Sequence, residues 1–176
     1  VIKSLRIDEA DDEKNIRKII YFSEDGIHIK KRVEFLFYRN SLAIDLINKL
    51  KKKLCISDDA EIRLMCTQKG KIKFTINNDE KLINLRNPLR LDIIPKEQLN
   101  RDPDATIIVR VSFIGKIKFD GTKSNGVPFY YLIHKNETFN EIRERLRKDT
   151  EISETLFSQF TFSIKSTKKL EIKNCT

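Results

Sequence analysis

The stretch VEFLFYRNSLAIDLINKL, residues 33–50, changes its period halfway along. Up to Tyr38 large apolar residues fall on alternate positions, Val33, Phe35 and Phe37, as on a half-buried strand. From Ser41 onward the apolar residues Ala43, Leu46, Ile47, Leu50 and Leu54 recur at helical spacing, with Ser41 available as N-cap. The stretch FYYLIHKNETFNEIRERL, residues 129–146, repeats the same change at an ungapped offset of 96. Asn40 falls on Asn136, Asp45 on Glu141, Leu46 on Ile142, Lys49 on Arg145, and Leu50 on Leu146. Val33, Phe35 and Phe37 fall on Phe129, Tyr131 and Ile133, and Ile56-Ser57 falls on Ile152-Ser153. Two copies of one unit are the simplest account.

Each copy has the same order of elements. In the first, runs from Ile16 to Phe22 and Ile27 to Tyr38 read as two strands joined at Asp25-Gly26, a hairpin signal. The helix follows, from Ser41 to Lys53, and then strands over Glu61 to Thr67, Ile72 to Ile76 and Leu89 to Ile94. The second copy has strands from Thr106 to Phe113 and Val127 to Ile133, around a loop with Asp120-Gly121 and Asn125-Gly126. Its helix runs from Thr138 to Lys148, and Thr138 with Glu141 makes a capping box. Glu141 with Arg145, Glu144 with Lys148, and Asp45 with Lys49 are acid-before-base pairs one turn apart. A strand from Gln159 to Lys165 and a shorter one near Leu170 to Ile172 come last, so this copy is expected to end one strand short.

The expected division is a first module over residues 1–98, a linker over 99–105 and a second module over 106–176. The turn-rich Pro95 to Asp104 is too short to hold the modules far apart, so they are expected to touch. Val1 to Ile7 has no counterpart in the second copy and reads as a connection from a preceding module.

Composition narrows the function classes. No apolar run approaches the roughly 18 residues of a membrane span. Cys55, Cys66 and Cys175 are odd in number and irregular in spacing, which argues against a disulfide framework and for an intracellular home, nucleus or cytoplasm. The net charge of +9 raises acidic proteins and nucleic acid as partners, but the excess is spread over both halves, and no nucleic-acid-reading motif accompanies it.

A hairpin, one amphipathic helix and further strands resemble the ubiquitin-like, or β-grasp, order, an α+β fold with a mixed sheet packed on one helix. Core positions recur six, nine and thirteen residues after the last inward residue of the second strand: Phe37, Ala43, Leu46 and Leu50, then Ile133, Phe139, Ile142 and Leu146. Residues 107–111, 126–129, 132–135, Phe139 with its basic helix, and 157–164 look like the final ubiquitin-like module of the herpesvirus-associated ubiquitin-specific protease family. The first half resembles the module before it. In that family five such modules follow the catalytic domain and the last two, with a tail beyond them, fold back to activate it. The resemblance implies a non-catalytic regulatory segment of a deubiquitinating thiol protease, whose partners are the catalytic domain of its own chain and other ubiquitin-pathway proteins. Against the family pattern the final strand and activating tail are expected to be missing from this stretch, and neither copy shows the terminal Gly-Gly that conjugation requires.

The residues support no enzyme of their own. His28 and His134 fall in different modules, and no Cys-x-x-Cys, His-Glu-x-x-His or Gly-rich phosphate loop occurs, so no catalytic, cofactor or metal site is assigned. Cys55 and Cys66, flanked by apolar residues, read as buried structural thiols. Asp8, Glu9, Asp11, Asp12 and Glu13 read as a solvated loop. The basic helix ends, Lys49 and Lys51 to Lys53 in one copy and Arg145, Arg147 and Lys148 in the other, complement the helix dipole. A rival reading is a Ras-association-type ubiquitin-like module that binds a small GTPase, for which Lys30, Lys31 and Arg32 would supply charge. Strand alternation leaves Leu36, Tyr38, Tyr130 and Leu132 facing outward, as candidates for a partner surface or for the contact between modules.

Overall fold

The computed structural model describes residues 15–38, 40–69, 71–85, 88–112 and 127–160. The loop signals at Asp120-Gly121 and Asn125-Gly126, the strand expected near Leu170 to Ile172, the acidic run Asp8 to Glu13 and Cys175 fall outside them.

Strand β1 (Asn15–Ser23) pairs antiparallel with β2 (Lys31–Tyr38), with Ile20 opposite Val33. Val33, Phe35 and Phe37 are buried and their neighbours are not, as period-two patterning requires. The connection is wider than the Asp-Gly signal suggests, because the Asp25 carboxylate accepts the main-chain N–H groups of Ile27 and His28, both at 2.8 Å. This Asx-type capping, with Gly26 at φ +76°, holds Ile27 to Lys30 in a loop, so the second strand starts at Lys31.

Helix α1 (Ala43–Leu54) then crosses the sheet, burying Ala43, Leu46, Ile47 and Leu50. Its N-cap is Leu42, not the expected Ser41. Leu42 N–H donates to the Asp45 carboxylate at 2.8 Å, so Asp45 supplies the N-terminal satisfaction that Ser41 was expected to provide. Strands β3 (Ile62–Gln68), β4 (Lys71–Thr75) and β5 (Leu89–Ile93) complete a sheet of order β2-β1-β5-β3-β4, in which β5 lies centrally and parallel to β1. That order, with one helix across it, is the β-grasp arrangement. Leu64, Cys66, Leu82, Leu89 and Leu91 join Ile20, Phe22, the β2 phenylalanines and the helix face in one core.

Pro95 leads into a one-turn helix α2 (Lys96–Leu99), and Gln98 of that turn is buried. Strands β6 (Thr106–Val111) and β7 (Phe129–His134) form an antiparallel pair with Val109 opposite Tyr131. Helix α3 (Phe139–Asp149) has the expected capping box: Glu141 N–H donates to Thr138 Oγ1 at 3.3 Å, and Thr138 N–H donates to Glu141 Oε2 at 2.7 Å. Arg145 pairs through two 2.7 Å hydrogen bonds with Glu137, not with Glu141, whose carboxylate is engaged at the cap. The short α4 (Glu154–Phe157) follows, with Ser153 as cap. Gln159 and Phe160, expected to open a strand, lie in the turn after α4.

The offset of 96 holds in three dimensions. Leu42 and Thr138 are the two N-caps, Asp45 and Glu141 each hold the cap N–H, and Cys55 and Glu151 both follow their helix at φ 54°. Ile56 and Ile152 are both buried behind those turns. The copies differ at Phe139, an expected core residue that is 40% exposed. Its counterpart Ala43 is sealed by residues 78–81, through Ala43 N–H to Glu80 O and a bridge between Leu42 and Lys81. The described residues of the second module contain no such segment.

Candidate functional site: the contact between the modules

The sheet of a β-grasp module has one face on its helix and one face away from it. In the first module Leu64, Leu89 and Leu91 point to the helix side, and Arg63, Met65, Arg90 and Asp92 alternate with them on the other. That second face would normally meet water. Here Met65, Thr67, Arg90 and Asp92 are buried, and the second module reaches this face at Arg90 through Val127, Pro128 and Phe129.

Arg90 is at the centre, with 0% exposure. Its Nε donates to Asp92 Oδ1 at 2.6 Å within the same strand. Nη2 donates to Gly26 O at 2.8 Å and Ile27 O at 3.3 Å, in the loop between β1 and β2. Nη1 donates to Pro128 O at 3.1 Å and Val127 O at 3.3 Å, just before β7. The Phe129 ring centroid lies 5.8 Å from the guanidinium carbon. Five hydrogen bonds from one fork match the full donor inventory of a guanidinium.

Around this centre further contacts join the two modules. Tyr130 lies with its ring centroid 4.1 Å from the Arg63 guanidinium and 5.8 Å from that of Arg110. Its hydroxyl is 3.2 Å from Thr75 Oγ1, and its carbonyl accepts from Gln98 Nε2 at 3.3 Å. Gln98 Oε1 in turn accepts from Arg63 Nη2 at 3.0 Å. Ile27, from the first module's loop, packs against the second module's core of Phe129, Tyr131, Ile133 and Leu146.

Burial is the largest influence on Asp92 and pushes its carboxyl up to about 6, against the pull of Arg90 and Arg63 and with a small further push from Asp25. Arg63 is lowered by the same desolvation, opposed by the Asp92 charge. Asp92 Oδ2 stands 3.9 Å from Arg63 Nη2, beyond hydrogen-bond reach.

Of the four outward residues named from the sequence, Tyr130 lies at this contact. Leu36 sits half-buried opposite Arg17 on the outer side of β2, and Tyr38, 67% exposed, closes that strand. Leu132 is half-buried opposite Ile108, and its carbonyl accepts from Arg145 Nη2 at 2.9 Å. Sequence reasoning missed Arg90, Asp92, Arg63 and Gln98. The available signal was the complementary pair Arg90 and Asp92, two residues apart on one face of an otherwise apolar strand.

Residues 3–175 match the family described as ubiquitin-specific protease C-terminal. The chain belongs to that family. It is 32% identical over 133 residues to ubiquitin C-terminal hydrolase 12 of Arabidopsis thaliana, covering 73% of this chain and 12% of the plant protein. It is 31% identical over 130 residues to ubiquitin C-terminal hydrolase 13 of the same plant, covering 71% of this chain and 12% of that protein. It is 21% identical over 170 residues to ubiquitin carboxyl-terminal hydrolase 15 of Schizosaccharomyces pombe, covering 93% of this chain and 14% of the relative. The chain thus spans a small fraction of the curated relatives it matches.

Other features named from the sequence can be placed on this family segment. Cys66 is buried as expected, but Cys55 is exposed. It stands in a left-handed turn at the end of α1, where its N–H serves the carbonyls of Lys51 and Lys52 and its side chain is turned off the helix face. Much of the basic charge at the helix ends is engaged within the fold. Lys51 Nζ donates to Asp58 O and Ala60 O, and Lys49 and Lys53 lie 4.7 and 5.0 Å from the Phe37 and Phe35 ring centroids. Arg145 is held by Glu137. Lys30 is paired with Glu24 and Arg32 with Glu34, so two of the three cations of the Ras-association reading have carboxylates beside them. Among the described residues no three His, Cys, Asp or Glu side chains are grouped to hold a metal, and no helix is long and apolar enough to cross a membrane.

Proposed function

We propose that this segment is the non-catalytic regulatory arm of an intracellular deubiquitinating cysteine protease, acting in cis on the catalytic domain of its own chain and docking other ubiquitin-pathway proteins. The observation that carries the reading is the match to the ubiquitin-specific protease C-terminal family over residues 3–175, on a chain covering 12% to 14% of relatives named as ubiquitin hydrolases. An arm that activates must bind the active conformation of its catalytic domain better than the inactive one, since equal affinity shifts nothing. Attachment in one chain replaces a bimolecular encounter by a high effective concentration, so a weak contact suffices. Leu36 and Tyr38, on the outer side of β2 and away from the Arg90 contact, are the surface assigned to that docking.

The test is the hydrolysis of a fluorogenic ubiquitin substrate by the full-length parent enzyme, with and without this segment, and then with Leu36→Ala and Tyr38→Ala together. A fall in kcat/KM on deletion, reproduced in large part by the double substitution, is the expected result. Unchanged activity on deletion would reject cis-regulation, and a loss that the substitutions fail to reproduce would reject the assigned surface.

A further inference from the structure

The five hydrogen bonds of Arg90 divide by origin. One goes to Asp92 on the same strand, two go to the first module's loop at Gly26 and Ile27, and two go to the second module at Val127 and Pro128. The two terminal nitrogens thus face different modules, Nη2 the first and Nη1 the second. A planar guanidinium holds those directions in a fixed relation, so movement of Pro128 relative to Gly26 requires breaking hydrogen bonds to a cation that is itself fully buried. Asp92 supplies the counter-charge that lets the cation be buried there. Of the surrounding contacts, the Tyr130 hydroxyl with Thr75 and Arg110 Nη1 with Lys73 O are exposed, and the second is long at 3.5 Å. Those two can exchange their partners for water, whereas the Arg90 guanidinium has no exposed surface at which water could replace a lost partner.

We propose that Arg90 is the positioning residue that locks the two modules into one rigid body, its guanidinium joining the first module's hairpin loop to the strand entry of the second. The lock concerns the pair itself and is independent of what the pair docks to. Any partner therefore meets a composite surface of fixed geometry, and the first module's sheet face, which would otherwise be open for recognition, is closed by the second module.

Residual dipolar couplings measured on the 176-residue chain read this directly, because each sheet reports its own alignment. In the unaltered chain one alignment tensor should fit the couplings of both sheets. Arg90→Lys keeps a cation opposite Asp92 but has no fork to span both modules, so the couplings within each sheet should still fit while the two tensors diverge in magnitude. Arg90→Leu with Asp92→Asn removes the fork and the buried charge together, and should decouple the modules in the same way. A single shared tensor in either folded variant would overturn the proposal. So would loss of the first module's own sheet signals in both variants, since a residue that only joins the modules should leave each sheet intact.

Discussion

The two modules follow one local plan at an offset of 96 and yet reach different degrees of closure. The first packs seventeen buried residues around α1 under a five-stranded sheet. Among the described residues the second packs four, and the loop of the first module adds Ile27 to them. The matched cap positions show that repetition reproduces what neighbouring residues in the chain decide. Burial is decided by what else covers the element, and there the copies part: Ala43 is sealed by residues 78–81, but Phe139 is half open. The second module leans on the first.

Substitutions at matched positions can break that comparison. Leu50 is fully buried and its counterpart Leu146 is nearly so, in a smaller cluster. Leu50→Ala should cost about 4 kcal/mol in urea unfolding and Leu146→Ala about 2 kcal/mol, within the range for large-to-small core changes. Equal losses would mean that the second core is as tightly closed as the first.

The contact between the modules should respond to pH. The Asp92 carboxyl is raised to about 6, above its ordinary value near 4. A raised carboxyl binds its proton more tightly in the folded state, so the stability it contributes is fully present below about pH 4 and is lost as pH rises through about 6. Asp92→Asn should flatten this part of the stability profile. A slope unchanged in the Asn variant would assign it to other groups.

Ile27 tests the dependence of one module on the other. Ile27→Ala, a change in the first module's loop, should cost about 1.5 kcal/mol. Hydrogen exchange should show the loss in β6, β7 and α3 more than in the first sheet. Loss confined to the first sheet would show that the second module does not rely on that side chain.

The smallest effect should be the same in both copies. Cys55 and Glu151 each hold φ 54°, a conformation glycine adopts without the steric penalty of a Cβ. Cys55→Gly and Glu151→Gly should each raise stability by about 0.5 kcal/mol, read as a small rise in Tm. Opposite signs at the two sites would show that the matched turns are held by different surroundings.

What could be read in advance shares a short range. The alternation of Val33, Phe35 and Phe37, the helical spacing of Ala43, Leu46 and Leu50, and the box of Thr138 with Glu141 all depend on residues within a few positions of one another. Ser41 was misread as a cap because two acceptors stand close together there, and Asp45 holds the Leu42 N–H. The loop after β1 was misread because an Asx turn and a tight hairpin begin with the same Asp-Gly pair.

The period of each element, the repeat at 96 and the family resemblance are legible along the chain, because they are properties of neighbours or of patterns compared at a fixed offset. The role of Arg90 emerges only on folding. Its acceptors stand 64 and 63 residues away in the first module's loop and 38 and 37 residues away before β7, and no local rule brings such groups together. A charged residue on the outer face of a strand is ordinarily solvated. It became the buried centre of the contact because a second module, built on the same plan, folded over that face and removed the water.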